Sequence, residues 1–201
     1  MKIGIDIDDT IANSFEVMFT YSQEFNGEIL KKTFKPKKVK TRFKKFYFQE
    51  LYNWTQEEKK KFINMYYEKS LDEVKPKTLA VETINKLKEM GNEIYIITSR
   101  YSINSIDIFE VTTNWLKKHH IKFDKLIISK DDKSESIKNN KIDIYIDDDY
   151  KVCRKSKKEC IVFMMNMEVN KKNHIKGVKR VYSWPHVLGE IKKISKNKDL
   201  M

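Results

Sequence analysis

Two apolar runs of this sequence end in carboxylates. The first is Ile3-Gly4-Ile5-Asp6-Ile7-Asp8-Asp9-Thr10, and the second is Ile142-Asp143-Ile144-Tyr145-Ile146-Asp147-Asp148-Asp149. Side chains two apart share a face in extended chain, so Asp6 and Asp8 point the same way if the strand continues. Carboxylates gathered from two strand ends repel one another, and a bound cation or a shared proton relieves that repulsion. Oxygen ligands with no His or Cys beside them suit Mg²⁺ rather than zinc. A third apolar run, Glu93-Ile94-Tyr95-Ile96-Ile97, leads into Thr98-Ser99-Arg100. Hydroxyls and free backbone N–H groups at a strand end hold phosphate oxygens. Lys133 stands shortly before the second acidic run and offers a point charge to a phosphoryl group. Acids at one strand end alone are more simply explained as solvated loop residues. Two such ends together with hydroxyls and a lysine favour a reactive site.

The elements that position these groups follow from periodicity. Strands are expected at residues 2–7, 93–98, 124–129, 142–146 and 159–165. Helices are expected at 13–25, 78–90, 105–119 and 183–194, with a frayed tail from Ser195 to Met201. In the first helix, Phe15, Met18, Phe19 and Ser22 share one face, and Asn26-Gly27 is its break. Leu79, Val81, Ile84 and Leu87 are the apolar residues of the second, with Gly91 as its stop. Ile108, Val111, Trp115 and Leu116 form the buried side of the third. Strands alternating with helices define an α/β fold with a doubly wound parallel sheet, Rossmann-like, covered on both faces. Its ligand site lies at the carboxyl ends of the strands, where the polar groups above fall.

Residues 28–75 have another texture. Nine Lys or Arg occur between Lys31 and Lys45 with no acid, followed by an aromatic stretch containing Phe46, Tyr47, Phe48, Tyr52 and Trp54. Thr55 and Glu58 form the pattern of a capping box that opens a helix to about residue 69. The expected organisation is a core of residues 1–13 and 76–201 with a helical insert at 14–75. The insert's aromatics either stack on a flat ligand or form the insert's own small core.

Bulk composition agrees with a folded domain. The chain has 201 residues, 40% hydrophobic and 12% aromatic, enough for a core. The formal charge of +12 favours anionic ligands, although a general richness in Lys, Asn and Ile explains it equally well. Cys153 and Cys160 form no CxxC, which points to a reducing, cytoplasmic setting. The first residues open a strand rather than a secretory leader, and no apolar run has the length of a membrane span.

In type and order these motifs resemble those of the haloacid dehalogenase superfamily of phosphohydrolases. Its DxDxT motif is matched by Asp6, Asp8 and Thr10, and its strand-end Thr or Ser by Thr98. Its lysine is matched by Lys133, with Lys130 and Lys138 as alternatives, and its acidic pair by Asp147 and Asp148. The resemblance spans residues 2 to about 150 and implies a mechanism. Asp6 would attack phosphorus, and Asp8 would protonate the leaving oxygen and then activate water. Mg²⁺ would be held by Asp6, the Asp8 backbone carbonyl and Asp147, with Asp148 behind them or acting through water. Thr98, the backbone of Ser99 and Lys133 would hold the phosphate oxygens. The acid at position 8 sets phosphatase-like members apart from dehalogenases. The superfamily places a helical cap in the slot that residues 14–75 occupy.

Finer features look most like the 5′(3′)-deoxyribonucleotidases. They are the IGIDIDDTI segment, the Thr98-Ser99-Arg100 turn, Thr112-Thr113-Asn114-Trp115-Leu116, the Lys133-Ser134-Glu135 turn and Arg180-Val181-Tyr182-Ser183-Trp184. This implies a nucleoside monophosphate as substrate. Arg100 replaces a proline found in some members, and it either meets a nucleotide phosphate or braces its loop. Other readings stay open: a nucleic-acid end-processing phosphatase that uses the basic run at 31–45, a phosphatase of another small metabolite, and a phosphate-binding protein of the same fold without activity.

Overall fold

In a computed structural model of the chain, residues 1–34, 38–40, 44–104, 106–129 and 132–199 are described. Residues 35–37 and 41–43 of the basic run at 31–45, Phe43 among them, and the alternative Lys130 lie outside them. Ile- and Val-rich runs form six strands: β1 (Lys2–Ile5), β2 (Glu93–Thr98), β3 (Lys125–Ile128), β4 (Ile144–Asp147), β5 (Ile161–Met165) and β6 (Val178–Val181). All neighbouring pairs are parallel, in the order β3-β2-β1-β4-β5-β6. The strand order reverses between β1 and β4, and such a reversal opens a crevice at the carboxyl ends. The expected doubly wound α/β sheet is therefore present.

Helices cover both faces. On one face Ile3, Ile5, Ile94, Ile96, Ile144 and Ile146 pack with residues of α4 (Ala80–Glu89), α5 (Ile108–Lys118) and α8 (Trp184–Asp199). On the other, Tyr95, Ile97, Tyr145, Val162 and Met164 meet Ile137 of α6 (Lys133–Asn139) and Cys153 of α7 (Tyr150–Ser156). The pleat assigns alternate residues to the two clusters. Gly4 belongs to the second face because a Cβ there would lie 2.9 Å from Tyr145 Cδ2.

Between β1 and α4 run α1 (Ser14–Glu24), a π-helical turn (Phe25–Ile29), α2 (Lys44–Tyr52) and α3 (Gln56–Glu73). They share a separate cluster in which Tyr21, Phe25, Leu51, Tyr52, Trp54, Phe62 and Tyr66 are buried. The Thr55–Glu58 capping box is formed from both sides. Trp54 Nε1 donates to Asn26 Oδ1 at 3.0 Å, tying the π-helical turn to the link between α2 and α3.

Several expectations need correction. Asn26-Gly27 does not break the first helix, because the chain continues through the π-helical turn. Leu79 does not belong to the second helix, which starts at Ala80: it caps α4 in a left-handed conformation and is 45% exposed, and Ala80 and Thr83 turn inward with Ile84 and Leu87. The last helix reaches Asp199, so residues 195–199 are helical rather than frayed. β6 and α7 were not expected. β6 is a short edge strand with two charged residues, and α7 follows the acidic turn with an Asp149 cap on Lys151 N and Val152 N.

Candidate active site

The strand ends converge at the reversal. Asp6 follows β1 directly and extends its pairing, its N–H donating to Ile146 O at 3.0 Å. The chain then turns tightly: Thr10 N, Ile11 N and Ala12 N all donate to Ile7 O, and Asp9 takes a left-handed φ of 66°. Phe15 N donates to Asp9 Oδ1 at 2.6 Å, Lys77 Nζ to Asp9 O at 2.6 Å, and Trp184 Nε1 to Thr10 O at 3.2 Å. Asp9 and Thr10 thus hold the turn together and lie buried beneath it.

Lys133, the first residue of α6, is buried between two acids. Its Nζ lies 2.7 Å from Asp6 Oδ1 and 2.9 Å from Asp147 Oδ2. Burial pulls the lysine pKa down, but Asp147 and Asp6 outweigh it and hold the ammonium firmly charged. Burial pushes the Asp6 carboxyl up to about 7, with Asp147 and Asp8 adding to the rise and Lys133 opposing it. Asp147 also accepts from Tyr145 OH at 2.7 Å and from Asp149 N at 2.7 Å. Carboxylate oxygens of Asp6, Asp147 and Asp148 lie within 4.8 Å of one another, and all three residues are buried. A buried, all-oxygen set of acids with one compensating lysine fits a hard divalent cation such as Mg²⁺.

Asp8 is arranged differently. Arg100 clasps it with two parallel bonds, Nε to Oδ2 and Nη2 to Oδ1, each 3.0 Å. Ser14 Oγ donates to Asp8 Oδ1 at 2.6 Å. The Asp8 carboxylate faces this pair, so among the described residues the third carboxylate of the acidic cluster is that of Asp148. Thr98 is buried at the end of β2, its Oγ1 accepting from Arg100 N at 3.4 Å, and Ser99 is exposed beside it.

The structure brings Asp6, Asp8, Lys133, Asp147 and Asp148 together, with Thr98 and Arg100 at the adjoining strand end. Sequence reading missed Ser14, Lys77 and Tyr145, and it named Trp184 only as part of a resemblance. Tyr145 carried a signal: a polar-tipped aromatic in an isoleucine strand, two residues before Asp147 and hence on its face. Ser14 and Lys77 carried none, because their contacts depend on the turn at Asp9.

A parallel sheet in this strand order, with an acid after β1, an acidic pair after β4 and a lysine opening α6, defines a hydrolase of the haloacid dehalogenase type. The chain belongs to the 5′ nucleotidase, deoxy (pyrimidine), cytosolic type C family, whose match covers residues 1–197. A candidate nucleotidase of Oceanobacillus iheyensis is 29% identical over 159 residues, covering 74% of this chain and 77% of that protein. A haloacid dehalogenase-like hydrolase of Streptococcus pneumoniae shares the fold at a TM-score of 0.66 and 13% identity, covering 94% and 97% of the two chains. A predicted phosphatase of Clostridium acetobutylicum does so at 0.66 and 18% identity, covering 96% and 98%.

Proposed function

We propose that the protein is a Mg²⁺-dependent phosphomonoesterase that acts on nucleoside monophosphates, deoxyribonucleotides foremost, through a phosphoryl group carried on Asp6. The observation that carries this reading is the seat of Lys133 between Asp6 and Asp147, beside Asp148. A buried nucleophile, a fixed cation and an all-oxygen metal set share one strand-end crevice.

An Asp6 carboxylate oxygen forms the new bond to phosphorus as the ester P–O bond breaks. Asp8 hands a proton to the departing oxygen, then takes one from the water that frees phosphate from Asp6. Lys133, Thr98 and the Ser99 backbone hold the non-bridging oxygens where charge accumulates. Mg²⁺ bound by Asp6, Asp147 and Asp148 would offset the negative charge of nucleophile and phosphate. Lys133 and that cation both favour the ionised Asp6 that attack requires, against the effect of burial.

Residues 14–75 act as the cap. Phe15, Phe19, Tyr47 and Phe48 are half-buried and in mutual ring contact, with the Phe15 ring centre 5.0 Å from Tyr47 and 5.3 Å from Phe48. Phe15 adjoins Ser14, which touches Asp8, so a flat base has an aromatic surface close to the reacting group. Phosphate release measured across nucleoside 5′- and 3′-monophosphates and sugar phosphates tests the reading. Nucleotides should lead. Preferred turnover of sugar phosphates would replace the substrate class, and absence of release from every compound would remove the activity.

A further inference from the structure

Arg100 is fully buried without being an ordinary core residue. Its side chain has no exposed surface, whereas that of Asp8 keeps 26%. The guanidinium carbon lies 5.2 Å from the Trp115 ring centre. That ring is itself fixed, because Trp115 Nε1 donates to Val74 O at 2.8 Å. The planar fork therefore stacks on an immobile surface and presents two N–H groups edge-on to Asp8. Such a bidentate pair fixes the rotation of a carboxylate as well as its position.

The loop that carries Arg100 is also held from outside the core. Tyr101 N donates to Tyr67 OH of α3 at 3.1 Å, and the two rings stack at 4.5 Å. Glu68 of α3 accepts from Ile103 N, Asn104 N and Asn104 Nδ2, each at 2.8 Å. Arg100 is thus pinned by Trp115 below and by α3 above.

From this geometry we propose that Arg100 is a positioning residue for Asp8, aligning its carboxylate with the leaving-group oxygen. The inference rests on the reading of Asp8 as proton carrier. In the step concerned, the ester P–O bond breaks, the leaving oxygen takes its proton from Asp8, and Arg100 exchanges no proton. Proton delivery matters most for a poor leaving group and little for an activated one. A misaligned Asp8 should therefore penalise the two unequally.

The test compares kcat/KM of wild type, Arg100→Lys and Arg100→Gln with Mg²⁺ on two substrates. One is a nucleoside monophosphate with an alkyl leaving group, and the other is 4-nitrophenyl phosphate. Arg100→Lys keeps a cation and an aliphatic stem over Trp115 but loses the fork, and it serves where Arg100→Gln does not fold. The expected result is a loss on the nucleotide at least about tenfold larger than on 4-nitrophenyl phosphate, a fraction of the roughly 10²–10⁴-fold worth of acid–base catalysis. Equal losses, a rise confined to KM on both substrates, or no loss would overturn the positioning role while leaving the phosphatase reading intact. A wild-type protein inactive on both substrates would remove that reading, and this inference with it.

Discussion

Lys133 illustrates how one side chain organises a charged crevice. Three buried acids within reach of one another would be costly alone, and a single ammonium between Asp6 and Asp147 offsets part of that cost. The rise of Asp6 to about 7 has a stability consequence of definite sign. Its folded pKa exceeds the unfolded value of 3.8, so the folded state holds the proton more tightly. Stability is then lost as pH rises through the window from about 4 to about 7. Asp6→Asn keeps an oxygen for Lys133 but removes the titration. In chelator, that variant should be more stable to denaturant than wild type above pH 7, by about 1–3 kcal/mol. The gap should close toward pH 4, and a constant gap across that range would refute the cause. Tyr145 makes a second residue-scale case. Its hydroxyl donates to Asp147 from a fully buried position. Tyr145→Phe should weaken Mg²⁺ binding roughly 10–100-fold, read by calorimetry, with little change in fold. An unchanged affinity would show the hydroxyl to be idle.

At the scale of elements, strand boundaries and turns divide what the sequence discloses from what it hides. β2 spans Glu93–Thr98 as its apolar run indicates, and the Thr55–Glu58 capping box opens α3. β1 ends at Ile5, earlier than its hydrophobicity suggests, because Ile7 O collects the N–H groups of the following turn. β6 stays hidden because half its residues are charged and it lies at the sheet edge. The link between α3 and the loop after β2 was invisible for another reason: Glu68 and Asn104 are polar residues of ordinary type whose meeting depends on how the insert seats. Glu68→Ala should free that loop. KM for nucleotide should rise severalfold, more than kcat falls, and cleavage by a protease within residues 101–104 should quicken. Unaltered KM and protection would show that α3 does not restrain the loop.

Across the whole molecule, the sheet gathers the charged groups, and the insert at 14–75 packs around an aromatic cluster of its own. The order β3-β2-β1-β4-β5-β6 brings segments about 140 residues apart, Asp6 and Asp147, to one crevice. Types and order of the acids, the lysine and the strand-end hydroxyl were legible in sequence, because each follows an apolar run whose direction is fixed by the parallel sheet. The pairing of Asp8 with Arg100 was not, since nothing in the spacing of residues 8 and 100 dictates a guanidinium fork. Of the two roles expected for the insert's aromatics, packing into its own small core is the one observed. Tyr52, Trp54 and Phe62 are buried in the insert's own core, and Phe15, Phe19, Tyr47 and Phe48 keep a half-open surface. Among the described residues no helix is long and apolar enough to cross a membrane.

Asp6 is proposed as the attacking group of a Mg²⁺-dependent phosphomonoesterase. Phosphate release from nucleoside monophosphates by wild type and Asp6→Asn, in Mg²⁺ and with matched circular dichroism, tests it most directly. Release by wild type and none by the folded variant is the predicted result; turnover by Asp6→Asn close to that of wild type would contradict it.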